Sequence, residues 1–280
     1  MKTDKLVLPC QLKGNASMNR QIGVQLYSAR NELAKDFKGT LEKIAAMGYD
    51  GVELAGLPAG VSSADAVKLL KSLNLSVVSG HMALPVGENK DKVIAEAKVL
   101  GVRRIVHSTG RDVCASRESI KKACATINEA AVNAKAAGLQ IALHNHWWEF
   151  QNVDGELAHK IMLKELLPDV VFEIDTYWVK VGGVTEPATV IKELGARVPL
   201  VHIKDGPGVQ GKPMTAVGQG CMDFPTILAS VTHAEWLIVE LDECATDMLD
   251  AIRDSITYLK QKRAGTNASP MAPWKQAPHR

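Results

Sequence analysis

Eight short apolar runs, each followed by a longer amphipathic stretch, recur along the chain from residue 22. They fall at 22–26, 51–54, 75–79, 104–107, 141–145, 170–174, 200–203 and 237–241. A strand covered on both faces reads as an unbroken apolar run, and parallel strands need a crossover between them, usually a helix. The intervening stretches, including 40–47, 64–73, 91–100, 119–137, 187–194 and 248–260, carry helical periodicity. Gly48, Gly101 and Gly138 follow three of them, where a left-handed C-cap would release the chain into the next strand. Eight such repeats fit a single α/β domain, a (β/α)8 or TIM barrel, over 21–262. A doubly wound open sheet shares most of this rhythm. What favours closure is the set of polar residues at the strand ends.

Length and charge narrow the functional classes. A barrel of this kind needs roughly 250 residues, and the 280-residue chain has no Gly/Ser/Pro-rich linker in its middle. The 33 basic and 31 acidic residues give a formal charge of +2, without the basic footprint of a nucleic-acid binder. No apolar stretch approaches a membrane span, and the run at 6–9 is too brief for the core of a signal peptide. Five scattered cysteines, odd in number and never spaced as a zinc or redox pair, point to a reducing, cytoplasmic setting. Residues 1–20 read as an N-terminal extension, and 263–280, rich in Pro, Ala and polar residues, as a flexible tail. Homo-oligomerisation is left open.

Active sites of such barrels form at the C-terminal ends of the strands. There the sequence places Glu53, His81, His107, His144, His146, Asp175, His202, Lys204, Glu240 and Asp242. Residues two apart on a strand share a face, so His144 with His146, His202 with Lys204, and Glu240 with Asp242 form three pairs able to point inward. Imidazoles and carboxylates from separate strands suit a Mn, Mg, Co or Zn centre with positions open for substrate oxygens. Any one of these residues alone reads better as a solvated loop charge or a satisfied core histidine. As a set they point to a site.

The segments IGVQLYSARNEL, TLEKIAAMGYDGVELAG, ALHNHWWEF, FEIDTYWVKVGG, PLVHIKDG and LIVELDE resemble the xylose isomerase-like TIM barrels of the sugar phosphate isomerase/epimerase family, from Ile22 to about Leu259. The resemblance implies a divalent metal held by Asp175, His202, Glu240 and a residue at the end of the fifth strand. His144 stands where the epimerases normally carry Glu. Either His144 or Glu149, on the following loop, would then complete the set. Glu149 is preferred, because a hard cation that must also accept sugar oxygens favours oxygen donors. A solvent-exposed loop acid is the plain alternative for Glu149.

The resemblance further implies a small, sugar-like substrate whose carbonyl is polarised while the neighbouring carbon loses a proton to an enediolate. Glu240 matches one of the paired epimerase glutamates, and Glu149 is the candidate for the other. His146 and His81 are alternative acid/base groups. Glu53, His81, His144, Trp148 and Lys204 are assigned to substrate, Lys204 as a charge-assisted donor or else a barrel-rim lysine. Trp147, Trp148 and Trp178 offer flat faces for a sugar ring, with core packing as the plain reading of each. GVQGKPMTAVGQG lacks the context and ending of a phosphate-binding loop and reads as a mobile loop over the mouth. Three functions follow: an isomerase or epimerase of a sugar or keto-sugar; a lyase or dehydratase acting on a 3-keto-glycoside or keto-inositol; and an endonuclease or non-catalytic binding barrel. The endonuclease branch needs a three-zinc cluster and a basic surface, which the near-neutral charge disfavours.

Overall fold

Eight parallel strands close on themselves: β1 (Gln21–Gln25), β2 (Gly51–Leu54), β3 (Ser76–His81), β4 (Arg104–Ser108), β5 (Gln140–His144), β6 (Val171–Asp175), β7 (Leu200–Ile203) and β8 (Trp236–Val239). Each strand pairs with its sequence neighbours, and β1 closes on β8 from Gln21↔Trp236 to Val24↔Val239. This is the (β/α)8 TIM barrel expected from the repeat. The computed structural model describes residues 20–263. The extension and tail expected over 1–20 and 263–280 therefore lie, apart from Arg20 and Arg263, outside the described residues.

Local chemistry accounts for the helix boundaries. The Asp36 and Ser62 side chains accept hydrogen bonds from Gly39 N and Asp65 N, satisfying first-turn donors of Phe37–Met47 and Ser63–Ser72. Ser116 and Ser119 make a reciprocal cap on Arg117–Ala136. Gly48 and Gly101 take φ +84° and +71° at the C-caps, as the sequence predicts. Among the described residues no helix is long and apolar enough to cross a membrane.

The barrel interior changes character from bottom to top. At its N-terminal end, Val78, Val106, Ala142, Val171, Leu200, Trp236 and Ile238 form an apolar plug. The Trp236 indole fits because β1 and β2 present Gly23 and Gly51. A Cβ on Gly51 would lie 3.0 Å from Trp236 Cη2 and 2.6 Å from Ser76 O. One step up each strand, the alternation that points Val171, Leu200 and Ile238 inward points Glu173, His202 and Glu240 inward. The sheet thus raises ionisable groups on an apolar floor, where each buried aliphatic side chain contributes about 1.5–3 kcal/mol. The larger cluster lies between sheet and helices and includes Leu41, Ile44, Ile120, Ile127 and Ile252.

The segment after β7, expected to be a mobile loop over the mouth, folds its two ends around one carboxylate. Asp205 accepts from four backbone donors: Gly206 N at 2.8 Å, Gly218 N and Gly220 N at 2.9 Å each, and Met222 N at 3.2 Å. Met214, Ala216 and Val217 are buried beneath it. A Cβ on Gly220 would lie 2.1 Å from Asp205 Oδ1, so glycine there permits the close approach of backbone to carboxylate. Gly218 and Gly220 thus bring their backbone N–H groups onto one buried carboxylate.

Candidate functional site

The charged part of the interior is arranged in two storeys. In the lower one, Glu53 Oε1 accepts from Gln25 Nε2 at 2.9 Å, and its other oxygen accepts from Ser79 Oγ. His81 Nε2 lies 3.2 Å from both Glu53 Oε1 and Glu173 Oε2. His202 Nε2 lies 2.8 Å and 3.1 Å from the same two oxygens. Two carboxylates and two imidazoles thus neutralise one another in a space nearly without water. Burial by itself would lower both histidines, but Glu53 and Glu173 override it. They hold His81 up at about 10 and His202 well above the ordinary range, with Glu240 adding to the latter.

The upper storey faces the mouth. His202 Nδ1 lies 2.7 Å from Glu240 Oε2, and Lys204 Nζ lies 2.7 Å from Glu240 Oε2, 3.0 Å from Asp175 Oδ2 and 2.9 Å from Asp242 Oδ2. Asp175 spends its other oxygen on Trp178 N at 2.8 Å, capping the helix Thr176–Gly182. Burial raises Asp175 to about 6, more than Lys204 and His202 can offset. Burial also opposes ionisation of Glu240, yet Lys204 and His202 hold it well below the usual carboxylate range. Burial, reinforced by the neighbouring His202 and His81, keeps His144 neutral.

One atom from each of His144, Asp175, His202 and Glu240 lies within 4.8 Å of the other three. Donors about 2.0–2.3 Å from a common ion are separated by about that distance or less, so the span suits one divalent cation. His144 Nδ1, His202 Nδ1, Asp175 Oδ2 and Glu240 Oε2 are all buried without an aligned hydrogen-bond partner. His144 turns Nε2 toward Asp175 Oδ2, at 4.0 Å, and Nδ1 toward Glu173 Oε2, at 3.3 Å. The donor set therefore fits a cation with two imidazole and two carboxylate ligands. His81, His144, Glu173 and His202 form a second, overlapping group deeper in the barrel.

Glu149 belongs to neither group, which corrects the preference given to it from sequence. Its carboxylate turns away from the mouth, accepting from Thr109 Oγ1 at 2.6 Å and from His146 N at 2.9 Å. The short turn Trp148–Phe150 carries the side chain next to a small apolar cavity of about 30 Å³. Burial there pushes its pKa up to about 7 despite those hydrogen bonds. Glu149 thus shapes the end of β5, and the fourth place in the group belongs to His144. Nor is Glu149 a surface acid.

Above the cluster opens a cavity of about 530 Å³ whose walls include Gln25, His81, His144, His146, Lys204 and Glu240. His146 is held face to face with Trp148, with centroids 4.2 Å apart and planes 11° apart. Burial and the nearby Lys204 lower His146 to about 4. Trp148 backs this imidazole and donates to Thr109 O at 3.2 Å, so it is not itself among the cavity walls. Trp147 turns to Arg111, and Trp178 packs under Lys204. Glu53 lies below the cavity, fully buried, orienting histidines where the sequence assigned it to substrate. His107 falls on the alternate face of β4 and is absent from both groups. Sequence reasoning passed over Gln25 and Glu173. The signal for Glu173 was available, since it stands two residues before Asp175 on the same strand face.

Residues 41–262 match the family model of the xylose isomerase-like TIM barrel. No curated protein matches the chain significantly. Among solved structures, a sugar phosphate isomerase/epimerase from Parabacteroides distasonis ATCC 8503 superposes with a TM-score of 0.74 at 25% identity, covering 88% of this chain and 95% of that one. A D-allulose 3-epimerase from Methylomonas sp. gives 0.63 at 19% identity, over 87% and 98%. The IOLI protein with a bound zinc atom gives 0.68 at 16%, over 89% and 99%. The last two likenesses establish the fold alone.

Proposed function

The chain belongs to the xylose isomerase-like TIM barrel family, and from that premise we propose that it is a divalent-metal-dependent isomerase or epimerase of a sugar, keto-sugar or sugar phosphate. The observation that carries this is the convergence of donor atoms from His144, Asp175, His202 and Glu240 beneath a polar cavity. Similarity to a sugar phosphate isomerase/epimerase supports the choice of substrate class, as does the zinc of the IOLI protein for the choice of a metal.

His144, Asp175, His202 and Glu240 would hold the cation. When bound, it supplies Lewis-acid polarisation of a substrate carbonyl and its adjacent hydroxyl. The protein's own groups divide the remaining work. His146, neutral at pH 7 and fixed against Trp148, can take a proton from the carbon beside the carbonyl at whichever nitrogen faces the cavity, and return it to give the enediol's alternative product. His81 and Lys204, both cationic, donate hydrogen bonds to substrate oxygens that gain negative charge. Glu53 and Glu173 keep His81 charged and, by facing Nε2 of His202, orient that ring with Nδ1 toward the cation. Histidines driven apart to about 4 and about 10 in one cavity suit opposite proton-transfer roles.

A lyase or dehydratase acting on a 3-keto-glycoside or keto-inositol is the second reading. It begins with the same proton abstraction, and the cationic His81 in the cavity wall favours it, because an imidazolium can protonate a departing oxygen. The test is a panel of ketoses, 3-keto-glycosides and inososes, each with the metal-loaded protein in deuterated water. Solvent exchange at the carbon beside the carbonyl without enone absorbance identifies isomerisation or epimerisation. An enone or a released aglycone identifies elimination. No metal-dependent exchange or product with any member rejects both.

A further inference from the structure

We propose that a groove beyond His81 receives an apolar substituent of the substrate, so that the mouth takes a glycoside or similarly substituted sugar. This rests on the reading of the mouth as a sugar-processing site. The groove, about 360 Å³, adjoins the 530 Å³ cavity and shares Gly56 and His81 with it as walls. Its other surfaces are Leu54, Leu57, Val61, Met82 and Leu100. The polar pair in its lining, Ser63 and Glu96, hydrogen-bonds to itself. The rest of the groove's lining is mainly apolar, whereas the cavity is lined by charged and hydrogen-bonding side chains, where an apolar group would strip water from ions without return. The passage between them is open. Gly56 has φ +86°, and a Cβ there would meet nothing within 4 Å. The division matches one molecule with a polyhydroxylated ring under His81 and an apolar group past it, the pattern of a pocket with few oriented polar groups and an apolar remainder. In the lyase reading that apolar group is the aglycone on the leaving oxygen, next to His81.

The test compares Kd values for methyl and phenyl glycosides of a set of D-hexopyranoses and their 3-keto forms, by calorimetry on the Mn2+-loaded full chain. For the sugar that binds, the phenyl glycoside should bind roughly tenfold tighter or more, as expected for removing an aromatic face from water. Leu57→Lys and Val61→Lys, each checked by thermal melting, should cut that ratio below about threefold while leaving the methyl glycoside's Kd unchanged. Equal affinities in the unaltered protein, with the methyl glycoside still binding, overturn the groove and leave the sugar site standing. A phenyl preference that survives in both folded variants also overturns the groove. Binding of neither glycoside overturns the groove together with the reading of the mouth.

Discussion

The ammonium of Lys204 lies 2.7 Å from Glu240 Oε2, on one of the four residues grouped around the proposed cation. A resident positive charge therefore touches the ligand set, with Asp242, partly exposed, as a third anionic neighbour at 2.9 Å. Two unit charges about 4 Å apart interact by about 4 kcal/mol at an effective dielectric of 20, enough to weaken cation binding appreciably. Lys204→Met should tighten Mn2+ binding roughly tenfold by calorimetry. It should also melt earlier without metal, since it strands buried carboxylates, and recover more of its Tm on adding Mn2+ than the unaltered protein gains. Unchanged or weaker Mn2+ affinity in a folded variant would show that Lys204 does not compete.

Glu240→Gln should abolish turnover, to below a few per cent, while circular dichroism shows the fold retained. The side chain stands past the end of β8 above the apolar plug, and Lys204 keeps Asp175 and Asp242 as partners. Substantial residual turnover would remove Glu240 from both the ligand set and the chemistry.

His146→Asn should lower kcat by roughly 10²- to 10⁴-fold, the usual contribution of one acid/base group. Metal affinity should stay unchanged, because His146 is outside both ligand groups. Weaker metal binding would make it a ligand. Unchanged kcat would leave it as packing for Trp148.

Glu149 supplies a pH test independent of metal. Its folded pKa, raised by burial to about 7, exceeds the ordinary glutamate value of 4.5. Below about 4.5 both states are protonated and the stability linked to this group is fully present. As pH rises towards 7 the unfolded chain ionises first, and that stability is lost. Glu149→Gln should therefore flatten the fall in Tm between pH 4.5 and 7 relative to the unaltered protein. An identical slope in the two proteins would mean that Glu149 ionises normally.

The fold was legible because its determinant is repetitive: eight short, mainly apolar runs such as 22–26 and 170–174 alternate with amphipathic stretches, the rhythm of covered parallel strands joined by helices. Asp175, His202 and Glu240 were legible for a related reason, since strand ends locate them. Glu149 was misjudged because its place depends on one turn, Trp148–Phe150, and on Thr109, a partner 40 residues away, which no local pattern announces. Within 208–220, Gly218 and Gly220 likewise depend on a distant partner, the carboxylate of Asp205, which no local pattern announces.

The cation centre is tested most directly by anomalous diffraction from crystals soaked in Mn2+. The expected map holds a peak at the C-terminal mouth, about 2.0–2.3 Å from donor atoms of His144, Asp175, His202 and Glu240, with Glu149 still bonded to Thr109. A soaked crystal with no peak among those four residues, or with the peak on Glu149, would contradict it.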